Sequence, residues 1–464
     1  MNLMNIQNAK KRVGHTFPRL PMEAEKSALD DLGGWRRTHY STDLSPESDG
    51  EEVILFGIVA SVRRQGAINF LILSDCKGLI QIVIDPNADQ ELVRKAKSLK
   101  RYSFVGVKGR ARAMDKAPRG VEIVPTELKI LSVPLKDPPF DMFGRRTPSL
   151  EKRLDIRAVD MRRPHVKAIF KIRDSVVRGI RAFLCERGFM EVNTPKLISS
   201  ATEGGSALFP ILYYDKEAFL AQSPQLYKEQ LVGSFEKVYE IGPIFRAEKF
   251  STDRHLSEST SVDVEVAYVD YNDVMDLLEE LIKYVVKRSS EECKGEFELI
   301  GVEPMALDGP FERFSYKEIF EDLRAKGVSI SWGDDLSAAQ IRSALEERSG
   351  FFLVKDWPTK SKAFYIKPKK EDPKICEGFD LFFGSMEIAS GGTRVDSGEL
   401  LRSRLIESGL NPASFRYHLD IFDYGMPPHA GFGMGLERLL MVITRRENIR
   451  EVAFFPRDPS RLVP

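Results

Sequence analysis

The chain has 464 residues, 42% of them hydrophobic and 30% charged, a composition that suits a folded protein of two or three domains. Lysine plus arginine equals aspartate plus glutamate at 69 each, so net charge gives no sign of a polyanionic partner, and any such signal has to be local. No apolar run reaches membrane-spanning length, there is no signal-peptide core, and Cys76, Cys185, Cys293 and Cys376 lack metal-ligand or disulfide spacing; the expectation is a cytoplasmic protein with no membrane contact.

Residues 1–34 are polar and mixed in charge. Lys10, Lys11 and Arg12 offer a contact for nucleic acid, while the composition suits a flexible extension. From 51 to 133 the chain is β-rich. Runs at 53–62, 69–73, 79–84, 103–107 and 127–133 read as strands, Asp75-Cys76-Lys77-Gly78 as a turn, and 90–99 as a helix. Five short strands and one helix predict an OB-fold over 35–133, a barrel that binds oligonucleotides on one sheet face and its loops. Arg63, Arg64, Arg101, Lys108 and Arg110 fit either a basic RNA surface or a charge-solvated barrel face. The proline-rich segment 134–163 reads as a hinge.

Residues 164–464 carry the candidate chemistry. Apolar residues at three- and four-residue steps make 165–188 helical. Glu203-Gly204-Gly205 opens a glycine loop. Residues 219–228, FLAQSPQLYK, turn from a short strand into a helix with Gln225 and Lys228 on one face. Residues 238–245 form a strand that delivers Arg246 at its end. Then Val262, Val264, Val266 and Tyr268 alternate strictly with Asp263 and Glu265, as in a strand with an apolar face on a core and an acidic face turned elsewhere. Between the two strands Arg246, Lys249, Arg254 and His255 accompany Glu248 and Glu258. Such a loop suits an anionic ligand; it equally suits an exposed hairpin with surface ion pairs.

Residues 272–294 read as an amphipathic helix capped near Asn272, and 313–350 as two more helical stretches. Residues 379–394, FDLFFGSMEIASGGTR, form a hairpin turning at Gly384-Ser385, with Asp380 and Glu387 on opposite arms. Paired acids suit Mg²⁺ beside a nucleotide, and two exposed strand carboxylates have the same pattern. Residues 431–444, GFGMGLERLLMVIT, read as a glycine-rich turn entering a helix buried nearly all round. Arg438 lies in it, and a buried guanidinium needs an anion, whether ligand or core carboxylate.

Three of these stretches together resemble a known family. FRAE followed by RHLSE and DVE is similar to motif 2 of class II aminoacyl-tRNA synthetases, GFGMGLERL to motif 3, and RAFLCERGFMEVNTPKL at 181–197 to motif 1. With the barrel in front, the chain resembles the aspartyl, asparaginyl and lysyl subgroup, and most the archaeal and eukaryotic type of aspartyl enzyme. The resemblance implies an α+β protein: an N-terminal OB-fold β-barrel that binds the anticodon, and a class II catalytic domain built on an antiparallel β-sheet flanked by helices. It implies a homodimer that ligates L-aspartate to tRNA through an aspartyl-adenylate, using ATP and Mg²⁺, with charging of the asparagine tRNA as an open extension.

It also implies roles for single residues. Arg246 and Arg438 are the catalytic arginines, on the α-phosphate with the substrate carboxylate and on the γ-phosphate. Arg254, His255, Leu256, Glu248 and Gly435 belong to the ATP site, with Glu248 near adenine. Glu387 and Ser390 hold the metal, Glu387 also within the ATP site and Ser390 also within the aspartate site. Glu203 and Gln225 bind the α-amino group. Lys228 and Arg394, oriented by Asp263, read the side-chain carboxylate. Phe70 stacks on the central anticodon base and Gln81 hydrogen-bonds beside it. The chain departs from the family pattern at Ile58, where tryptophan is common, at Val83, a frequent second aromatic position, and at Ser259, where an aromatic stacks on adenine. The loop at 116–120 is the expected place of tolerance for the asparagine tRNA. Rival readings are an asparaginyl enzyme, against which Lys228 argues; a paralogue making asparagine from aspartate and ammonia, which lacks the barrel; and a non-catalytic RNA-binding paralogue, against which Arg246, Glu387, Arg394 and Arg438 together argue.

Overall fold

The computed structural model describes residues 29–464 apart from 145, 200–207, 249–251, 335 and 346–349. The chain divides into two compact units, Met1–Arg146 and Thr147–Pro464. Most of the N-terminal extension, and Glu203 with its glycine loop, lie outside the described residues. Of the extension's described part, Asp30 ties to the barrel, accepting from Lys95 Nζ at 2.8 Å and from the Ile130 amide at 2.8 Å.

The first unit is a closed barrel of β1 (Glu52–Gln65), β2 (Ile68–Ser74), β3 (Leu79–Ile84), β4 (Phe104–Ala113) and β5 (Val121–Ser132), in the order β1-β2-β3-β5-β4. Helix α1 (Gln90–Ser98) lies between β3 and β4 in the chain, and Asp89 caps it by accepting from the amides of Glu91 and Leu92. Alternation builds the barrel. Leu71, Leu73, Ile80, Ile82 and Ile84 enter its core, and Phe70, Gln81 and Val83 take the intervening positions. β4 and β5 run several residues beyond their apolar signal. Their missing parts carry small inward residues: Gly109 is buried at a register shift opposite Pro125, and an added Cβ there would lie 2.3 Å from the Val124 carbonyl oxygen.

The boundary between the two units falls inside the segment read as a hinge, and its second half is helical. Residues Leu150–Asp155 and Arg157–Asp160 form short helices in the second unit. Asp160 is fully buried between Arg153 (3.0 Å) and Arg157 (2.6 Å), and Arg157 also donates to three backbone carbonyls at 450–453. Dispersed charges that look solvated in the sequence are therefore a buried ion-pair cluster.

The second unit is built on an eight-stranded sheet. In chain order its relevant elements are α2 (Pro164–Glu186), the two-residue strand β6 (Met190–Glu191), α3 (Gln225–Phe235), β7 (Lys237–Phe245), β8 (Glu258–Ala267), α4 (Tyr271–Glu292), β9 (Glu312–Ser315), β10 (Phe351–Lys355), β11 (Gly378–Phe383), β12 (Met386–Thr393), β13 (His429–Gly435) and α5 (Leu436–Thr444). The strand order is β9-β10-β11-β12-β13-β8-β7-β6. Pairing is antiparallel except at the margins, where β9–β10 and β7–β6 are parallel. Helices α2, α4 and α5 bury their apolar stripes with Val262, Val264 and Val266 in one core. The helices Tyr316–Ala325, Gly398–Glu407 and Arg416–Phe422 share a second core with Phe352, Val354 and Phe382.

Three local expectations change. Tyr268 is 69% exposed with φ +64°, so the strand ends one residue earlier. The cap of α4 is Asp270, which accepts from the Asn272 amide while Asp273 accepts from the amide of Asp270. The glycine run GFGMG is a central strand, not a turn. Its glycines are required by close approach: a Cβ on Gly431 would lie 2.2 Å from the Val264 carbonyl and 2.3 Å from Glu265 Oε2. Gly431→Ala is therefore expected to destabilise the second unit by at least about 2 kcal/mol, as forced overpacking does; a urea melt that leaves the unfolding midpoint unchanged would contradict this packing.

Candidate active site

The site starts from the alternation of β8. Because Val262, Val264 and Val266 fill the core, Asp263 and Glu265 emerge on the opposite face, beneath a cleft. Both carboxylates are buried, at 3% and 0% exposure, so each requires a cation. Lys228, from the second turn of α3, donates to Asp263 Oδ1 (3.0 Å) and to the carbonyls of Val264 and Phe432, with Glu265 Oε2 at 3.4 Å. Arg394, just past β12, clamps Glu265 with Nε–Oε1 at 2.9 Å and Nη2–Oε2 at 3.1 Å. Burial opposes the charged guanidinium, yet Glu265 more than compensates and raises its pKa. Asp263 Oδ2 stays buried with no hydrogen-bond partner among the described residues, an acceptor held for a donor.

The walls of the cleft carry a different electrostatic character. Its cavity volume is about 290 Å³, and Arg246, Arg254, His255 and Arg438 all line it. Arg254 Nη1 rests on the carbonyl and hydroxyl of Ser385, both at 3.2 Å. Arg438 Nη1 reaches the Glu387 carbonyl at 2.9 Å, with the Glu387 carboxylate 4.0 Å away. Crowding of like charge shows in the titration of the group. Burial, then Arg342 and Arg438, lower the pKa of Arg254. Burial, then Arg438, lower that of His255. A polyanion in the cleft would relieve this repulsion. Arg438 is half-buried on the open side of α5, so its guanidinium faces the cleft and no core carboxylate.

A third group sits beyond these cations. Asp380 pairs across the sheet with Ser390. Burial pushes its pKa up to about 6, against the pull of Lys362, whose Nζ stands 2.5 and 2.6 Å from the two oxygens. Glu387, on the opposite arm, is about half exposed in the cleft. Of the two acids read either as a Mg²⁺ pair or as exposed strand carboxylates, Asp380 is buried and Glu387 is open to the cleft.

Residues 149–459 match the family model of the class II tRNA synthetases (D, K and N), and residues 53–131 match that of the OB-fold nucleic acid binding domain. The chain belongs to the class II tRNA synthetases. Among relatives, an Aspartate–tRNA(Asp/Asn) ligase of Methanocaldococcus jannaschii is 46% identical over 432 residues, 93% of this chain and 99% of that protein. One of Methanothermobacter thermautotrophicus is 44% identical over 435 residues, 93% and 100%. The fold is similar to asparaginyl-tRNA synthetase of Pyrococcus horikoshii complexed with asparaginyl-adenylate, at TM-score 0.86 and 38% identity, covering 92% of this chain and all of that one. It is also similar to aspartyl tRNA synthetase of Entamoeba histolytica, at TM-score 0.81 and 31% identity, covering 93% of each.

In this synthetase the cleft is lined by Gln225, Arg246, Glu248, Arg254, His255, Leu256, Asp263, Glu387, Ser390, Arg394, Gly435 and Arg438. Lys228 is not among the lining residues; it lies under Asp263, 1% exposed. Asp263 orients Lys228, as the resemblance implies, but Arg394 is oriented by Glu265. Both cations are already paired with carboxylates, Lys228 with Asp263 and Arg394 with Glu265. Sequence reasoning missed Glu265, Lys362 and Glu229. Glu265 had a signal, since it shares the acidic face of β8 with Asp263. As for Mg²⁺, no cluster of three or more His, Cys, Asp or Glu side chains forms a cation cage among the described residues. A nucleotide-borne Mg²⁺ needs only one or two carboxylates, and the hard oxygens of Glu387 and Ser390 at the cleft fit it.

On the barrel, Phe70 pairs in register with Val83 and Arg63, and Gln81 donates to Glu122 Oε2 at 2.9 Å, with Arg112 on the other carboxylate oxygen. Three of the five expected basic residues are matched by acids: Arg101 by Asp141, Lys108 by Glu127 and Arg110 by Glu52. For these the charge-solvated reading holds, and Arg63 is the cation beside Phe70.

The buried quartet Lys228, Arg394, Asp263 and Glu265 gives a direct expectation. Glu265→Ala leaves Arg394 uncompensated in the interior and is expected to cost about 3–5 kcal/mol, read as a shift in the urea midpoint; a loss below about 1 kcal/mol would mean that water reaches the floor.

Proposed function

We propose that this synthetase ligates L-aspartate to tRNA in two steps and accepts both the aspartate and the asparagine tRNA. The observation that carries the reading is the cleft itself. Arg246, Arg254 and Arg438, with His255 beside them, line a space whose floor is bordered by Arg394 and by Asp263 Oδ2, an acceptor for an ammonium group. In the first step the α-carboxylate of aspartate attacks the α-phosphorus of ATP, forming aspartyl-adenylate and releasing pyrophosphate. In the second, a ribose hydroxyl of the terminal tRNA adenosine takes the aspartyl group and AMP leaves. Neither step needs a protein nucleophile; alignment and charge neutralisation carry the catalysis.

Arg246 neutralises charge growing on the α-phosphate and holds the attacking carboxylate. Arg438, with Arg254 and His255, receives the leaving pyrophosphate, and the mutual repulsion of the two arginines is relieved as it binds. Glu248 and Leu256 border the base, and Gly435, beneath the Arg438 stem, lets the ring approach. Mg²⁺, held by Glu387 and Ser390, would supply charge neutralisation between phosphate oxygens. Gln225 accepts from the α-ammonium group, with Glu203 as its counterpart and Asp263 Oδ2 as a further acceptor. Arg394 takes the side-chain carboxylate, and Lys228 keeps the floor from being net negative. On the barrel, Phe70 stacks on a base and Gln81 pairs beside it. The two-residue edge strand β6, with Met190 exposed at 47%, supports a homodimer through this margin. Four free cysteines support a reducing cytoplasm, and among the described residues no helix is long and apolar enough to cross a membrane.

Amino-acid-dependent ATP–pyrophosphate exchange tests the reading. Exchange with aspartate and not asparagine is expected. Lys228→Leu, which leaves Asp263 and Glu265 sharing one cation, should abolish it at ordinary aspartate levels; unchanged exchange would remove Lys228 from recognition. Exchange on asparagine instead would overturn the aspartate assignment while keeping the chemistry.

The tRNA half of the proposal is supported by the names of the relatives; the loop at 116–120, where Arg119 donates to the Thr42 carbonyl and turns with φ +68°, is where the tolerance is expected to lie. Aspartylation of aspartate and asparagine tRNA transcripts at comparable efficiency is expected, and a gap of roughly a hundredfold, worth about 2.7 kcal/mol, would limit the enzyme to one.

A further inference from the structure

One acid below the cleft has no part in the two steps above. Glu229 follows Gln225 by one turn of α3 and is fully buried. Gln225 Nε2 donates to its Oε1 at 2.6 Å. Its Oε2 faces two imidazoles, His418 Nε2 at 3.2 Å and His429 Nε2 at 3.8 Å. His418 comes from the helix Arg416–Phe422, and its Nδ1 lies 3.4 Å from Gln230 Nε2. His429 opens β13, and its Nδ1 lies 2.8 Å from the Pro427 carbonyl. Burial alone would raise the pKa of Glu229, but His418 and His429 outweigh it and hold the carboxyl well below the ordinary range. The acid is therefore an ionised, acceptor-only group, hydrogen-bonded by Gln225 at Oε1 and faced at Oε2 by imidazole nitrogens from two other elements.

That property decides which way an amide turns. Gln225 has a donor end and an acceptor end of nearly the same shape. With Nε2 committed to a carboxylate, the end left for the cleft is the carbonyl Oε1. Turned over, Gln225 would set its carbonyl oxygen against the Glu229 carboxylate and turn its amide hydrogens to the cleft, where they would oppose an arriving ammonium group.

We propose that Glu229 is a positioning residue for amino-acid binding: anchored by His418 and His429, it locks the Gln225 amide so that its carbonyl oxygen accepts from the substrate α-ammonium group. The inference rests on Gln225 being the ammonium ligand. Glu229 touches no substrate atom; it acts through Gln225 alone.

The test separates positioning from general weakening. In Glu229→Gln, the new side chain can donate as well as accept, so Gln225 no longer has one preferred orientation. In pyrophosphate exchange the KM for aspartate should rise roughly ten- to a hundredfold, the size of a hydrogen bond to a charged group, while kcat and the KM for ATP stay within about threefold. Succinate, which is aspartate without its amino group, should inhibit wild type and variant with the same Ki. A parallel loss of succinate and aspartate binding would overturn the proposal, as would an unchanged aspartate KM. If Glu229→Gln does not fold, Glu229→Asp keeps the charge for the histidines but draws the carboxylate away from Gln225, and the same aspartate-selective rise is expected; its absence overturns the proposal. Gln225→Ala tests the underlying reading separately. An unchanged aspartate KM in that variant would remove Gln225 from the ammonium site, whatever Glu229 does.

Discussion

The second unit depends on burying two carboxylates on one face of a central strand. Asp263 and Glu265 point away from the valines that anchor β8, toward the neighbouring strand β13. They fit because β13 is glycine-rich opposite them. A Cβ on Gly431 would collide with Glu265, and one on Gly433 would come within 3.1 Å of Asp263 Oδ1. Space is thus made on one strand for charge carried by the next. That charge then fixes everything around it: Lys228 from α3, Arg394 from the end of β12, and through them the distance between helix and sheet. Such a floor is rigid because loosening any one member leaves another ion unpaired in the interior.

Above the floor the rule reverses. The upper cations are set near one another with few acids to balance them, so their field is satisfied only when a polyanion enters. A site with balanced charge below and unbalanced charge above separates two tasks. The balanced part holds shape, and the unbalanced part supplies the change in interaction that a developing pyrophosphate requires.

Much of this was legible in the sequence, for reasons that differ by residue. The alternation of β8, the hairpin at Gly384-Ser385 and the barrel strands at 69–73 and 79–84 carry period-two patterns that leave little choice of conformation. The motif residues Arg246, Glu387, Arg394 and Arg438 could be placed in one cleft because they occur in order within recognisable stretches. What could not be read was partnership. Glu265, Asp263, Lys228 and Arg394 are spread over 167 positions, and only folding assigns Arg394 to Glu265 and not to Asp263. Glycines in GFGMG signal a turn locally, whereas the neighbouring carboxylates require them in a strand. Asp160 with its arginines, and Glu229 with His418 and His429, look like solvated charges along the chain because their apolar surroundings come from elsewhere in the sequence.

The glycine strand also bears on how the amino-acid choice of such an enzyme can evolve. Gly391 and Gly431 are each closed to a side chain by a backbone atom within 2.5 Å, so single substitutions at these positions cannot reshape the base of the cleft. Variation has to enter from the connecting segment between β10 and β11, where Ser361 and Ala363 line the cleft. A laboratory lineage selected for a different amino acid should accordingly accumulate its changes there, with the base inherited intact.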